Sequence, residues 1–125
     1  MEETIHLLAA EDYYQIAEEK NTIYEQEKVA QKRIALRVVA AQNYFYASIN
    51  FLEAVLATLK EHSYNHENRL SKVLERRLIL GEEIVQLYFL IERDQRNKVT
   101  YRGENGEKYD NIRKLARLLH QKDGK

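Results

Sequence analysis

The sequence predicts an all-α fold, an up-and-down helical bundle of four main helices plus a short C-terminal helix, and three observations lead there. Proline is absent and glycine occurs only at positions 81, 103, 106 and 124, so almost nothing interrupts a helix over the first 80 residues. Apolar residues return every three or four positions along most of the chain, which is the repeat of one helix face. Hydrophobic residues make up 44% and charged residues 32%, enough apolar surface for a packed core and too much charge for a membrane bundle. A chain of 125 residues has interior for one core, so residues 1–125 are read as a single domain.

The first helix is expected over about 3–20, with Ile5, Leu8, Ala9, Asp12 or Tyr13, Ile16 and Ala17 on its inward face and Asn21 at its end. Thr22 and Glu25 then have the spacing of a capping box that opens a second helix. In that helix Ile34, Val38, Ala41, Phe45, Ser48, Leu52, Val55 and Leu59 alternate steps of four and three, and Val39, Tyr46, Ile49 and Leu56 widen the seam. Unbroken over 23–60 it would be about 55 Å long, more than so small a domain needs, so a bend or break is expected near Glu27 to Arg33. His62 to Asn65 is a polar connector, followed by a shorter helix with Leu70, Val73, Leu74 and Leu78 on one face. Gly81 punctuates. A fourth helix runs from Glu82 to about Tyr101, with Ile84, Leu87, Tyr88 and Ile91 inward, acids at its start and bases at its end. Arg102 to Asp110 is the longest expected loop, and the last helix turns Ile112, Leu115, Ala116 and Leu119 inward before fraying over 122–125.

Several function classes drop out. Without cysteine there is no disulfide framework, thiolate metal site or cysteine nucleophile, which fits a cytoplasmic location. Met1-Glu-Glu-Thr lacks the basic and apolar regions of a signal peptide, and the longest uncharged stretch, Val38 to Leu52, is 15 residues, too short to span a bilayer. No phosphate-binding glycine loop, Gly-x-Ser-x-Gly elbow or His-Glu-x-x-His signature is present. His62 and His66 lie in or beside the connector, where nothing guarantees a shared face. Glu3 to His6 is the one Glu-x-x-His in the chain, where a di-iron bundle needs two, so no metal and no cofactor are expected.

The net charge of zero conceals an asymmetry. Residues 1–27 hold eight acids and one lysine, whereas residues 92–125 hold ten bases and six acids. A basic C-terminal third suits a surface that faces phosphate, and it equally suits scattered solvated helix faces. Of the nine tyrosines, Tyr44, Tyr46 and Tyr88 fall with Phe45 in apolar helices as core or subunit-contact residues, while Tyr64, Tyr101 and Tyr109 fall at helix ends or loops within reach of a partner.

The segment Arg96-Asn97-Lys98-Val99-Thr100-Tyr101 resembles the motif of the HEPN superfamily of small helical bundles, an arginine, a polar residue, three variable residues and a histidine near the end of a late helix. Arginine and asparagine match; Tyr101 stands where the histidine would be. The long Ala- and Tyr-rich helix from Arg37 to Leu59 is similar to the family's central helix, and the likeness spans about residues 30 to 120.

The resemblance implies a nucleic-acid- or nucleotide-binding module with RNA or a nucleotide as ligand. It also implies a homodimer, with a small nucleotidyltransferase as protein partner. The weak catalytic candidates are Arg96, Asn97 and Tyr101, and the nucleic-acid-binding candidates are Arg96, Lys98 and Arg102. Metal-independent RNA cleavage needs proton transfer and a cation on the phosphorane. A tyrosine, with a reference pKa near 10, is a poor base at neutral pH, so little or no ribonuclease activity is expected, whereas Arg96 retains the means to grip a phosphate with two parallel hydrogen bonds. Two alternatives are an active metal-independent ribonuclease and a purely structural helical-bundle interaction protein. The wide apolar surface of residues 34–59 is the expected dimer face.

Overall fold

The computed structural model describes residues 2–60, 66–95 and 106–123, and among them the fold is all-α. There are six helices among these residues: α1 (Glu2–Gln26), α2 (Ala30–Thr58), α3 (His66–Glu75), α4 (Arg77–Leu80), α5 (Glu82–Gln95) and α6 (Gly106–Asp123). The expected shorter helix is thus divided at Arg76, and the expected short C-terminal helix is 18 residues, longer than the 14 of α5.

Helix α1 does not stop at Asn21. Thr22 donates its hydroxyl back to the Glu18 carbonyl, 3.0 Å away, as a mid-helix threonine does, so it caps nothing. Asn21 has one partner within the helix and one across the fold: its amide donates to Glu25 and its oxygen accepts from the Tyr109 hydroxyl of α6. The chain breaks at 27–29, inside the span where a break is expected. Arg33 Nε donates to the Tyr24 carbonyl there, and its guanidinium lies 4.5 Å from the centre of the Tyr24 ring.

Small side chains hold the α1–α2 hairpin together. Ala40, Ala47 and Ala54 on α2 are buried seven residues apart, and Ala10 and Ala17 on α1 repeat the interval. Residues this small let two backbones approach closely and gain dispersion contact along their length. This choice turns α1 differently from expectation. Ala17 is buried as expected, but Ala10, Tyr14 and Asn21 turn inward with it, while Ile5, Leu8 and Ile16 are 60%, 68% and 40% exposed. Both faces of α1 carry apolar residues at helical spacing, and the alanines win because they permit the closer approach.

Helix α6 lies in the groove of the hairpin. Tyr109 meets Tyr24 and Tyr44, Arg113 meets Tyr44, and His120 meets Phe51 and Glu11, so α6 runs antiparallel to α1 and parallel to α2. Burial of Tyr109 extends the helix back to Gly106 through part of the expected loop. Ile112, Leu115, Ala116 and Leu119 are buried as expected. Most of the apolar surface of α2 is thereby covered within one chain; of its expected contact residues, Ile34, Val39 and Tyr46 remain exposed.

Gly81, at φ +95°, ends α4 with its N–H on the Arg77 carbonyl and turns the chain into α5. From α5, Ile84, Val85, Tyr88 and Ile91 complete the core; Leu87, expected inward, is only half-buried.

Candidate functional site

Arg96, Asn97, Lys98, Tyr101 and Arg102 lie outside the described residues, as do Tyr64 and His62. The flanking elements are described: α5 closes at Gln95, one residue before Arg96, and α6 opens at Gly106, four residues after Arg102. Two polar networks and a basic face are built from these and their neighbours.

The first network crosses three helices. Arg69 on α3 sits between Glu53 of α2, at 3.1 Å, and Glu92 of α5, at 3.4 Å. The Tyr88 hydroxyl donates to the same Glu92 oxygen at 2.7 Å. Glu92 is 4% exposed, and a carboxylate this buried is tolerable only with a cation and a donor aimed at it. Burial works against the charge on Arg69, but Tyr88 and Glu53 outweigh it and raise its pKa, so it remains a cation. Burial, followed by the neighbouring Glu92 charge, pushes the Tyr88 pKa well above the ordinary value, and Tyr88 serves as a fixed hydrogen-bond donor. No catalytic base results from this arrangement; it ties α3 and α5 to α2. Glu53, Arg69 and Glu92 escape the sequence reading, although one signal is legible: Glu92 stands four residues beyond the inward-facing Tyr88 and so shares its face.

The second network is tyrosine-rich and joins α1, α2 and α6. The Tyr44 hydroxyl donates to Glu18 at 2.8 Å and accepts from Arg113 Nε at 3.2 Å. Tyr109, expected at a loop within reach of a partner, is instead 2% exposed and bonded to Asn21. Burial drives the pKa values of Tyr44 and Tyr109 well upward and that of Tyr14 up to about 12. The Tyr14 ring stacks on His120 at 4.1 Å, and His120 pairs with Glu11 at 3.0 Å. His6 is bonded to Asn50 at 3.1 Å. Among the described residues no group of three or more His, Cys, Asp or Glu side chains is placed to hold a metal ion, and no helix is long and apolar enough to cross a membrane.

The outward face of α6 is basic. Arg113, Lys114 and Arg117 stand together around a shallow depression of about 280 Å³, which Asp110, Leu118 and Gln121 complete. Arg113 is anchored at Nε by Tyr44, and Lys114 pairs with Glu83 of α5 at 2.9 Å across an exposed edge. This face suits diffuse attraction of an anion better than enclosure of a small molecule, since one helix supplies the whole lining.

No family model matches the chain, and no curated protein or solved structure matches it.

Proposed function

We propose that this chain is a HEPN-like helical module that binds the phosphates of RNA or a nucleotide and cleaves RNA slowly or not at all. The observation that carries the reading is the continuity of positive charge from the Arg96 segment into α6. Between Arg96 and Arg117 the chain holds seven bases and three acids, and the last three of those bases share the outward face of α6. Phosphate contacts of this kind supply affinity and position without reading sequence. In this reading Arg96 grips one phosphate, Lys98 and Arg102 supply further charge, and Asn97 with Tyr101 forms a polar site beside it. Tyr101, lacking the histidine's proton-transfer chemistry, leaves that site without an efficient base. The absence of cysteine fits a cytoplasmic setting, and the resemblance adds a small nucleotidyltransferase as protein partner to the same reading.

Fluorescence anisotropy with a labelled single-stranded RNA of about 20 nucleotides tests it, since backbone binding must weaken steeply between about 50 and 200 mM salt. Arg96→Ala should weaken binding and lower the salt slope by about 0.7, the share of one single-strand phosphate. Tyr101→His should raise cleavage by about 10²-fold or more, the scale of a positioned acid–base group. Absence of binding to RNA and to nucleotides at low salt, with helix content intact, would overturn the reading in favour of a purely structural module. Rapid metal-independent cleavage by the unaltered chain would instead establish the ribonuclease alternative.

A further inference from the structure

We infer that the outward face of α1 is a docking surface for a basic amphipathic helix of another protein. Neither the phosphate-binding reading nor the partner implied by the resemblance carries this; the apolar residues left on the solvent side of α1 do. Ile5, Leu8, Asp12, Ile16, Glu19 and Ile23 follow one another at steps of three and four. They form one stripe about 27 Å long, opposite the buried Ala10, Tyr14, Ala17 and Asn21, and all six are exposed. The solvent side of a surface helix is ordinarily polar, and α1 closes on α2 through its alanines, so folding makes no use of these four aliphatic side chains. The apolar surface continues onto α2. Tyr13, three residues before Ile16, lies against Tyr46 with the ring centres 5.4 Å apart, and Tyr46 and Val39, seven residues apart on one side of α2, are both exposed. An apolar face of this length, shared by two helices, matches a helix laid along it with side chains at i, i+3, i+4 and i+7.

Charge selects the occupant. Asp12 and Glu19 stand within the stripe two turns apart, about 10 Å along the axis. Neither takes part in an ion pair among the described residues, whereas Glu11 is engaged with His120, Glu18 with Tyr44 and Glu25 with Asn21. Residues 1–27 hold eight acids and one lysine, a segment that repels a nucleic acid or an anionic bilayer. A second copy laid on the same stripe would bring that acidic segment against itself. A partner helix with two lysines or arginines seven positions apart, set among leucine-like side chains, puts a cation on each carboxylate and an apolar side chain on each of the four aliphatics. Covering Asp12 and Glu19 without a cation would leave two desolvated charges, so the same two residues that attract a basic helix reject a neutral or acidic one.

Titration of the whole chain into two labelled synthetic helical peptides of about 18 residues, followed by fluorescence anisotropy, tests the proposal. The basic probe carries leucines at the spacing of the stripe and two lysines seven positions apart on an alanine and glutamine background; the acidic probe has glutamate in place of both lysines. The basic probe should bind with a Kd below about 100 μM, and the acidic one at least about tenfold more weakly. Leu8→Gln and Ile16→Gln, at exposed positions and with helix content checked by circular dichroism, should each weaken binding by about tenfold, and so should Asp12→Lys. D12K/E19K should exchange the preference between the two probes, whereas Glu3→Lys, which alters an exposed acid on another side of α1, should change it little. Failure of the basic probe to bind at about 1 mM would overturn the inference. So would equal binding of the two probes, or a loss on Glu3→Lys as large as on Asp12→Lys, the mark of diffuse attraction. Self-association in sedimentation equilibrium that Ile16→Gln abolishes would overturn it in favour of a second copy, and binding to phosphatidylcholine vesicles that Leu8→Gln abolishes in favour of a bilayer.

Discussion

Raising the pH should unfold this protein sharply, because four of its tyrosines must keep their protons to stay buried. Tyr14, Tyr44, Tyr88 and Tyr109 are 8%, 0%, 0% and 2% exposed. Burial raises the pKa of each, of Tyr14 to about 12 and of the other three further, from an ordinary value of 10.0. The folded pKa exceeds the unfolded one, so the stability these groups contribute is fully present below about pH 10 and is lost as pH climbs towards the folded values. Above pH 10 the unfolded chain binds up to four fewer protons than the folded one, and each proton is worth about 1.4 kcal/mol per pH unit. By pH 11 the loss approaches about 5 kcal/mol, comparable with the whole stability of a small domain. Urea unfolding followed by far-ultraviolet circular dichroism at pH 8, 9, 10 and 11 measures the slope, and tyrosinate absorbance near 295 nm measures ionisation in the same samples. The amplitude due to these four tyrosines should appear only with loss of helix. Tyr14→Phe, which keeps the ring on His120, should reduce the slope by about a quarter. Ionisation of all nine tyrosines with a common midpoint near pH 10, while the helix signal stays intact, would show that burial does not hold these protons.

Two further outcomes follow from the packing. Arg69→Met should destabilise the fold by about 3–5 kcal/mol in urea titrations, because Glu92 and Glu53 would be left near each other without their cation; adding Glu92→Gln should return part of the loss. Ala47→Leu should cost about 1–3 kcal/mol by forcing α1 and α2 apart, measured as a lower urea midpoint at unchanged slope; a neutral result would mean that the hairpin does not close on its alanines.

The all-α class and the existence of most elements were legible in the residues themselves. Absence of proline, scarcity of glycine and a repeat near 3.6 are local properties, and they act on the backbone whatever the neighbours do. The break at 27–29 and the turn at Gly81 belong to the same category, one required by length and the other by a residue able to take positive φ. Of the sites, the Arg96 segment was visible as a pattern and lies outside the described residues, whereas the Glu53–Arg69–Glu92 network showed in the sequence only as one acid on an inward face.

Tertiary structure decided which of two apolar faces of α1 turned inward, how far α1 and α6 extended, and which surface of the molecule was left over. Ile5 and Leu8 are more hydrophobic than Ala10 and Ala17, yet the alanines are buried, because close packing rewards shape across the gap as well as apolar area. Asn21 and Thr22 have the residue types of a helix boundary and lie within a helix, since Tyr109, 88 positions away in sequence, supplies a buried partner that no local window contains. Helical periodicity states that a residue has a face; only the arrangement of the other helices states what that face meets.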